Sequence, residues 1–213
     1  MNTQRHLLFD LDGTLSDPLE GIAKSINYAL KAFGYEQRQE PVLAKYIGPP
    51  IDKTFSELAD TDDSDHILAL VAKFRERFGD KGYKENKLYP NIRQTIESLH
   101  EKKIPMGVCT SKREDFAKRI IDMFDLSHLF EFISGGDVGI SKGQQINRLL
   151  NSGKIGTNAV MIGDRDVDIR AAHENGLDGF GVLWGYGSRK ELEAADPKGV
   201  FKQPCEMIEL AES

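Results

Sequence analysis

From Tyr89-Pro90 onward, strand-length apolar runs alternate with stretches of helical spacing, the signature of a parallel sheet covered on both faces. The pattern predicts a helix over residues 92–99 before a strand over 106–110, and a helix over 113–124 before a short strand at Phe132-Ile133. It then predicts a helix over 144–150 before a strand over 159–162, and a last unit, 166–175, leading into Gly181-Val182-Leu183-Trp184. Leu7-Leu8-Phe9 has the same strand character, but the next seventy or so residues read as helical. Asp17 fits an N-cap, with Pro18 at the first helical position and Glu20 at the third. Ile22, Ile26, Leu30 and Phe33 then form an apolar stripe that ends at Gly34. A second helix begins near Asp52, and a third uses Ile67, Leu68, Val71, Phe74 and Phe78 and stops at Gly79. The chain therefore reads as an α/β core, residues 1–15 and 89–213, interrupted by a helical insertion over 16–88, a lid whose two linkers act as a hinge or, alternatively, a helical layer packed permanently on the sheet.

Composition bounds the function. With 213 residues, 39% hydrophobic and 29% charged, the chain holds one large domain, or one domain plus an insertion. Ala159-Val160-Met161-Ile162 is too short to span a bilayer, and Met1-Asn2-Thr3-Gln4-Arg5-His6 has no signal-type apolar region. The expectation is a cytoplasmic protein with no membrane partner. A net charge of −6 argues against a nucleic acid polymer as partner, so an anionic substrate needs local positive charge from a metal or placed lysines. Cys109 and Cys205 form no metal-ligand spacing and read as two reduced thiols.

Four clusters carry chemistry, and each lies where a predicted strand gives way to a helix. Asp10-Leu11-Asp12-Gly13-Thr14 sets two carboxylates in a tight turn after the first strand, where an open α/β sheet meets its ligands. Thr110-Ser111 follows the second and offers hydroxyls and turning backbone N–H groups to a phosphate oxygen. Lys142, in Ile140-Ser141-Lys142-Gly143, presents a compact ammonium. Gly163-Asp164-Arg165-Asp166-Val167-Asp168 puts Asp164 in a turn and Asp168 one helical turn later. Singly, each has an ordinary structural explanation as a turn, a cap or a solvated charge. Together they place acids suited to Mg2+ and a phosphate cradle on one sheet edge. The histidines, His6, His66, His100, His128 and His173, show no paired spacing, and the acidic run Asp60-Thr61-Asp62-Asp63-Ser64-Asp65 reads as a loop ending in a helix cap. Arg75, Arg77 and Lys81 read as a solvated helix face.

The sequence resembles the haloacid dehalogenase superfamily, whose four motifs match Phe9-Asp10-Leu11-Asp12-Gly13-Thr14, Thr110-Ser111, Lys142 and the segment from Gly163-Asp164 to Asp168 in order. Tyr46-Ile47-Gly48-Pro49-Pro50, Tyr89-Pro90 and Trp184-Gly185-Tyr186-Gly187-Ser188 are similar to its phosphoglycolate-phosphatase-like branch. The resemblance implies a Rossmann-like parallel sheet core with an inserted small α-helical cap domain. It also implies a magnesium-dependent phosphatase acting on a small phosphorylated metabolite such as phosphoglycolate, a nucleotide or a sugar phosphate. Asp10 would attack phosphorus to give an aspartyl-phosphate, and Asp12 would protonate the leaving oxygen and later activate water. Thr110, Ser111, Lys142 and Gly13 would bind the phosphate. Mg2+ would be held by Asp10 and Asp164, by Asp12 through its backbone carbonyl, and by Asp168 as a further ligand or support. Asp12 separates the chain from the family's dehalogenases, which need no such acid. Gly143 departs from the family, where proline often follows the lysine, and loosens the local backbone. A phosphomutase of the same fold and a phospho-aspartate signalling protein that does not turn over share the same residue types. The mutase would isomerise a sugar phosphate; the signalling receiver carries its acceptor on a middle strand, whereas Asp10 follows the first.

Overall fold

The computed structural model describes residues 5–137 and 139–211. The chain begins with β1 (Leu7–Phe9) and β2 (Ser16–Asp17), then runs through helices α1 (Leu19–Ala32), α2 (Glu40–Leu43), α3 (Ile51–Ala59) and α4 (Ser64–Asp80) to β3 (Lys87–Leu88). After that, helix and strand alternate: α5 (Ile92–Glu101), β4 (Met106–Arg113), α6 (Glu114–Met123), β5 (Phe132–Gly136), α7 (Lys142–Asn151) and β6 (Val160–Gly163). The chain continues through α8 (Asp166–His173), β7 (Asp178–Val182), α9 (Arg189–Ala194) and β8 (Gly199–Phe201). Asp17–Lys87 form one compact unit, and the described residues before and after it form the other.

The larger unit is a six-stranded sheet in the order β5-β4-β1-β6-β7-β8. Every neighbouring pair is parallel, with Leu7 opposite Met106 on one side and Val160 on the other. Leu7, Leu8 and Phe9 are fully buried, as a central strand with helices on both faces requires. On one face, Leu8, Cys109, Phe132 and Met161 from four strands pack with Ile146 and Leu149 of α7 and Ala172 of α8. Leaving β1, the strand order runs one way through β4 and β5 and the other way through β6, β7 and β8. That reversal falls between β1 and β6, and sheets of this kind take their ligands outside the carboxyl ends of the strands at such a point.

The helical unit is held by α1, α3 and α4. Phe55 and Phe74 meet edge to face at 6.3 Å, and Phe74 stacks on Phe78 at 5.3 Å. Several sequence expectations need correction here. Helix α1 starts one residue later than expected, with Pro18 as its N-cap, although the Asp17 carboxylate still accepts the Leu19 N–H at 3.0 Å. Phe33 and Leu68 are 39% and 53% exposed rather than core, and Leu70 fills the buried position. Helix α4 runs through Gly79 to Asp80, because buried Phe74 and Phe78 anchor its last turns more strongly than one glycine weakens them. Arg77 is no solvated charge: it bridges both Glu85 oxygens at 2.9 and 3.1 Å and donates to Ser25. Strand β7 begins at Asp178, earlier than its apolar run, since a Cβ at Gly179 would sit 2.9 Å from the backbone of Ile169 and only glycine lets α8 pack that close. Among the described residues no helix is long and apolar enough to cross a membrane.

Candidate active site

The turn after β1 is built for close approach. The Asp10 N–H extends the sheet ladder to the Ile162 carbonyl at 2.9 Å, and the Leu15 and Ser16 N–H groups both return to the Leu11 carbonyl at 3.0 Å. Between them Gly13 adopts a φ of +91°, and any Cβ there would overlap the Asp164 carboxylate. Glycine is required twice over at this position, by conformation and by space. Asp164 directly follows β6, and the loop after β7 closes over it. Its Oδ2 accepts the Tyr186 N–H at 2.7 Å, its Oδ1 accepts the Thr14 hydroxyl at 3.5 Å, and Trp184 Nε1 donates to the Thr14 carbonyl at 2.9 Å.

This arrangement gathers Asp10, Asp164 and Asp168, all buried, with one carboxylate oxygen from each within 4.8 Å of the others. Lys142 Nζ lies 3.0 Å from Asp10 Oδ1 and also bonds Asp168 Oδ1, while Asp168 Oδ2 accepts the Arg165 N–H at 3.1 Å. Three buried acids facing one ammonium are out of balance. Burial, reinforced by the Asp168 and Asp10 charges, pushes the Asp164 carboxyl up to about 8. Burial pushes Asp168 up to about 6 against the opposing pull of Lys142. Burial works against the Lys142 charge, but Asp10 and Asp168 outweigh it and hold the ammonium above its usual range. Asp10 Oδ1 is buried and has no hydrogen bond, since Lys142 approaches without the alignment one needs. Buried oxygen ligands with excess negative charge and an unused lone pair fit a hard divalent cation.

Asp12 stands apart from that trio. Its Oδ2 pairs with Lys112 Nζ at 2.7 Å, and its Oδ1 is buried without a hydrogen bond. Burial raises its pKa, only partly offset by Lys112. Thr110 lies within β4, which runs on to Arg113 rather than ending at Thr110 as expected; it is buried, and its hydroxyl oxygen accepts the Lys112 N–H at 3.3 Å. Ser111, next in the strand, is half-buried.

Lys142 is the first residue of α7, and Ser141 caps that helix in a reciprocal capping box with Gln144. The Asn175 amide donates to the Gly143 carbonyl at 3.0 Å. The cap and this bond seat the lysine where the missing proline led us to expect a looser backbone. Sequence reasoning passed over Lys112 altogether and gave the Trp184–Ser188 segment no role, although Lys112 lies only two residues beyond Thr110. The acidic run at Asp60 is structural, as read: Asp63 caps α4 by accepting from Asp65 and His66 at 3.0 and 3.3 Å. Cys109 and Cys205 are both free thiols, and burial pushes Cys109 up to about 12.

Residues 7–182 match the family Haloacid dehalogenase-like hydrolase. The chain is 36% identical to a 5'-nucleotidase of Pseudomonas aeruginosa, across 90% of this chain and 88% of that one. It is 31% identical to a phosphoglycolate phosphatase of Aquifex aeolicus, across 98% and 97%. A solved haloacid dehalogenase-like family hydrolase from Streptococcus pneumoniae superposes with a TM-score of 0.88 at 27% identity, covering 98% of this chain and 99% of that one. Motif order, sheet topology and these relatives agree: the chain belongs to the haloacid dehalogenase-like hydrolases, as a phosphatase of the phosphoglycolate-phosphatase-like branch.

Proposed function

We propose that this chain hydrolyses a small phosphomonoester in two steps, through an aspartyl-phosphate on Asp10, in a Mg2+-dependent reaction. The observation that carries the reading is the pair Asp10 Oδ1 and Asp12 Oδ1, two buried oxygens without hydrogen bonds, on residues two apart at the end of β1. Both oxygens keep a lone pair free of hydrogen bonds, Asp10 Oδ1 beside the Lys142 ammonium at 3.0 Å, and a buried carboxylate oxygen so placed can take a further bond.

In the first step the Asp10 carboxylate attacks phosphorus, the bond to the leaving oxygen breaks, and the Asp12 carboxyl gives that oxygen its proton. In the second step the Asp12 carboxylate takes a proton from water, the resulting hydroxide attacks phosphorus, and the Asp10–phosphorus bond breaks to release inorganic phosphate. The raised pKa of Asp12 suits a group that must be proton donor and acceptor in turn. Lys142 and Thr110, with Ser111 and the Gly13 turn, hold the phosphoryl oxygens as charge moves across them. Asp10 and Asp164 would hold Mg2+, with the Asp12 backbone carbonyl. The ion would neutralise the phosphate and orient it for in-line attack. Asp168, whose Oδ1 bonds Lys142 and whose Oδ2 accepts the Arg165 N–H, seats the lysine and would be a further ligand or support for the ion. The Asp17–Lys87 unit serves as the cap that selects the leaving group.

Turnover of an aryl phosphate with and without Mg2+ tests the reaction. Asp10→Asn is expected to lose at least about a thousandfold in kcat; wild-type turnover in that variant would overturn the mechanism. A panel of 2-phosphoglycolate, nucleoside 5'-monophosphates and sugar phosphates, ranked by kcat/KM, assigns the substrate class. Release of inorganic phosphate supports hydrolysis, and an isomerised sugar phosphate would show a mutase instead.

A further inference from the structure

We infer that Lys112 is the positioning residue for Asp12, fixing one carboxyl oxygen so that the other meets the leaving group; the inference rests on the acid–base role proposed above. Lys112 Nζ sits 2.7 Å from Asp12 Oδ2, and the two side chains are only 8% and 10% exposed. The other oxygen, Oδ1, is buried with no hydrogen bond. A carboxyl group turns easily about its last torsion, which has broad, roughly two-fold preferences. Anchoring Oδ2 removes that freedom and leaves Oδ1 as the atom that gives and takes the proton.

The strand is shaped to deliver this lysine. Along β4, Thr110 lies opposite Gly135 and Arg113 opposite Gly136, so Ser111 and Lys112 have no residues opposite them in β5. Such a bulge breaks the alternation of a strand and re-aims its side chains. The bulge is pinned by the Lys112 N–H donating to the Thr110 hydroxyl oxygen at 3.3 Å. At Gly135 a Cβ would run into the backbone of Glu114, where α6 begins, so β5 and α6 approach this closely only because that residue is glycine. Lys142 cannot take over the task, because it is already engaged by Asp10 and Asp168. The site thus uses its two lysines separately: one serves the nucleophile and phosphate, the other the proton donor.

The test compares Asp12→Asn, Lys112→Met and Lys112→Arg in the full chain with Mg2+. The readout is the single-turnover rate of leaving-group release at saturating enzyme, measured for p-nitrophenyl phosphate and for a simple alkyl phosphate. An alkoxide needs its proton as it departs and a nitrophenolate does not. Asp12→Asn should therefore lose far more on the alkyl ester. Lys112→Met should do the same in rate constant, with a loss at least about tenfold larger on the alkyl ester, and Lys112→Arg should recover part of it. Equal losses on both esters, or a loss only in the concentration needed for saturation, would overturn the inference and make Lys112 a structural or substrate-binding charge. If Asp12→Asn discriminates and Lys112→Met does not, only the role of Lys112 falls. If Asp12→Asn itself is indifferent to the leaving group, the acid–base reading of Asp12 fails and the role of Lys112 fails with it. A melting curve checks each fold, and if Lys112→Met does not fold, Lys112→Gln against Lys112→Arg carries the same comparison.

Discussion

Gly13 and Lys142 show how much of the site rests on single residues. Gly13→Ala meets a left-handed backbone and the Asp164 carboxylate together, so we expect it to lose about 2 kcal/mol or more of stability in denaturant unfolding. The concentration of Mg2+ for half-maximal activity should rise with it, because Asp164 must move to make room. Lys142→Met removes the ammonium shared by Asp10 and Asp168, and turnover of an aryl phosphate should fall about a hundredfold or more. Asp10, Thr110 and Asp164 are legible in the sequence because each stands at the end of an apolar run, and Lys142 because it lies where a strand gives way to the next helix. Lys112 is not, since its aim depends on a bulge that no local pattern announces.

At the scale of elements, α7 matters most, because it carries Lys142 at its first position. Ser141→Ala deletes the capping box and should lose about 1 kcal/mol in thermal or chemical unfolding. It should also lower kcat several-fold, since fraying of this helix end moves the ammonium; unchanged kcat alongside the lost stability would show that the bonds to Asp10 and Asp168 suffice. The existence of the long helices follows from their apolar spacing, whereas their ends do not. Gly79 fails to stop α4 and Leu68 fails to enter the core, because the packing of Leu70, Val71, Phe74 and Phe78 decides which face is buried. The four-residue α2 and the late strand β8 have too few residues for a periodic signal.

For the whole molecule, the decisive quantity is the charge enclosed at the sheet edge. The Asp164 and Asp168 carboxyls, ordinarily near 3.8, are raised to about 8 and about 6 in the folded chain. The fold therefore binds these protons more tightly than the unfolded chain does. Without a divalent ion its stability should be greatest below about pH 4 with respect to these groups and should decline as pH rises through 6 to about 8. Melting temperatures in EDTA across that range check the sign; a rise with pH from this site would contradict it. Saturating Mg2+ should flatten the decline and release protons, measurable by calorimetry in buffers of different ionisation enthalpy.

The sequence by itself determined the fold class, the order of the four motifs and the residue types of the site. These are properties of local periodicity and of where a strand ends. The tertiary structure decided which acids share one space, which oxygen each lysine occupies, and that Asp12 stands outside the trio of Asp10, Asp164 and Asp168. The physical reason is the range of the forces: apolar spacing acts over a few neighbouring residues. Charge pairing in a buried crevice joins positions as distant as Asp10 and Asp168, and it exists only once the strands have paired and water has been displaced.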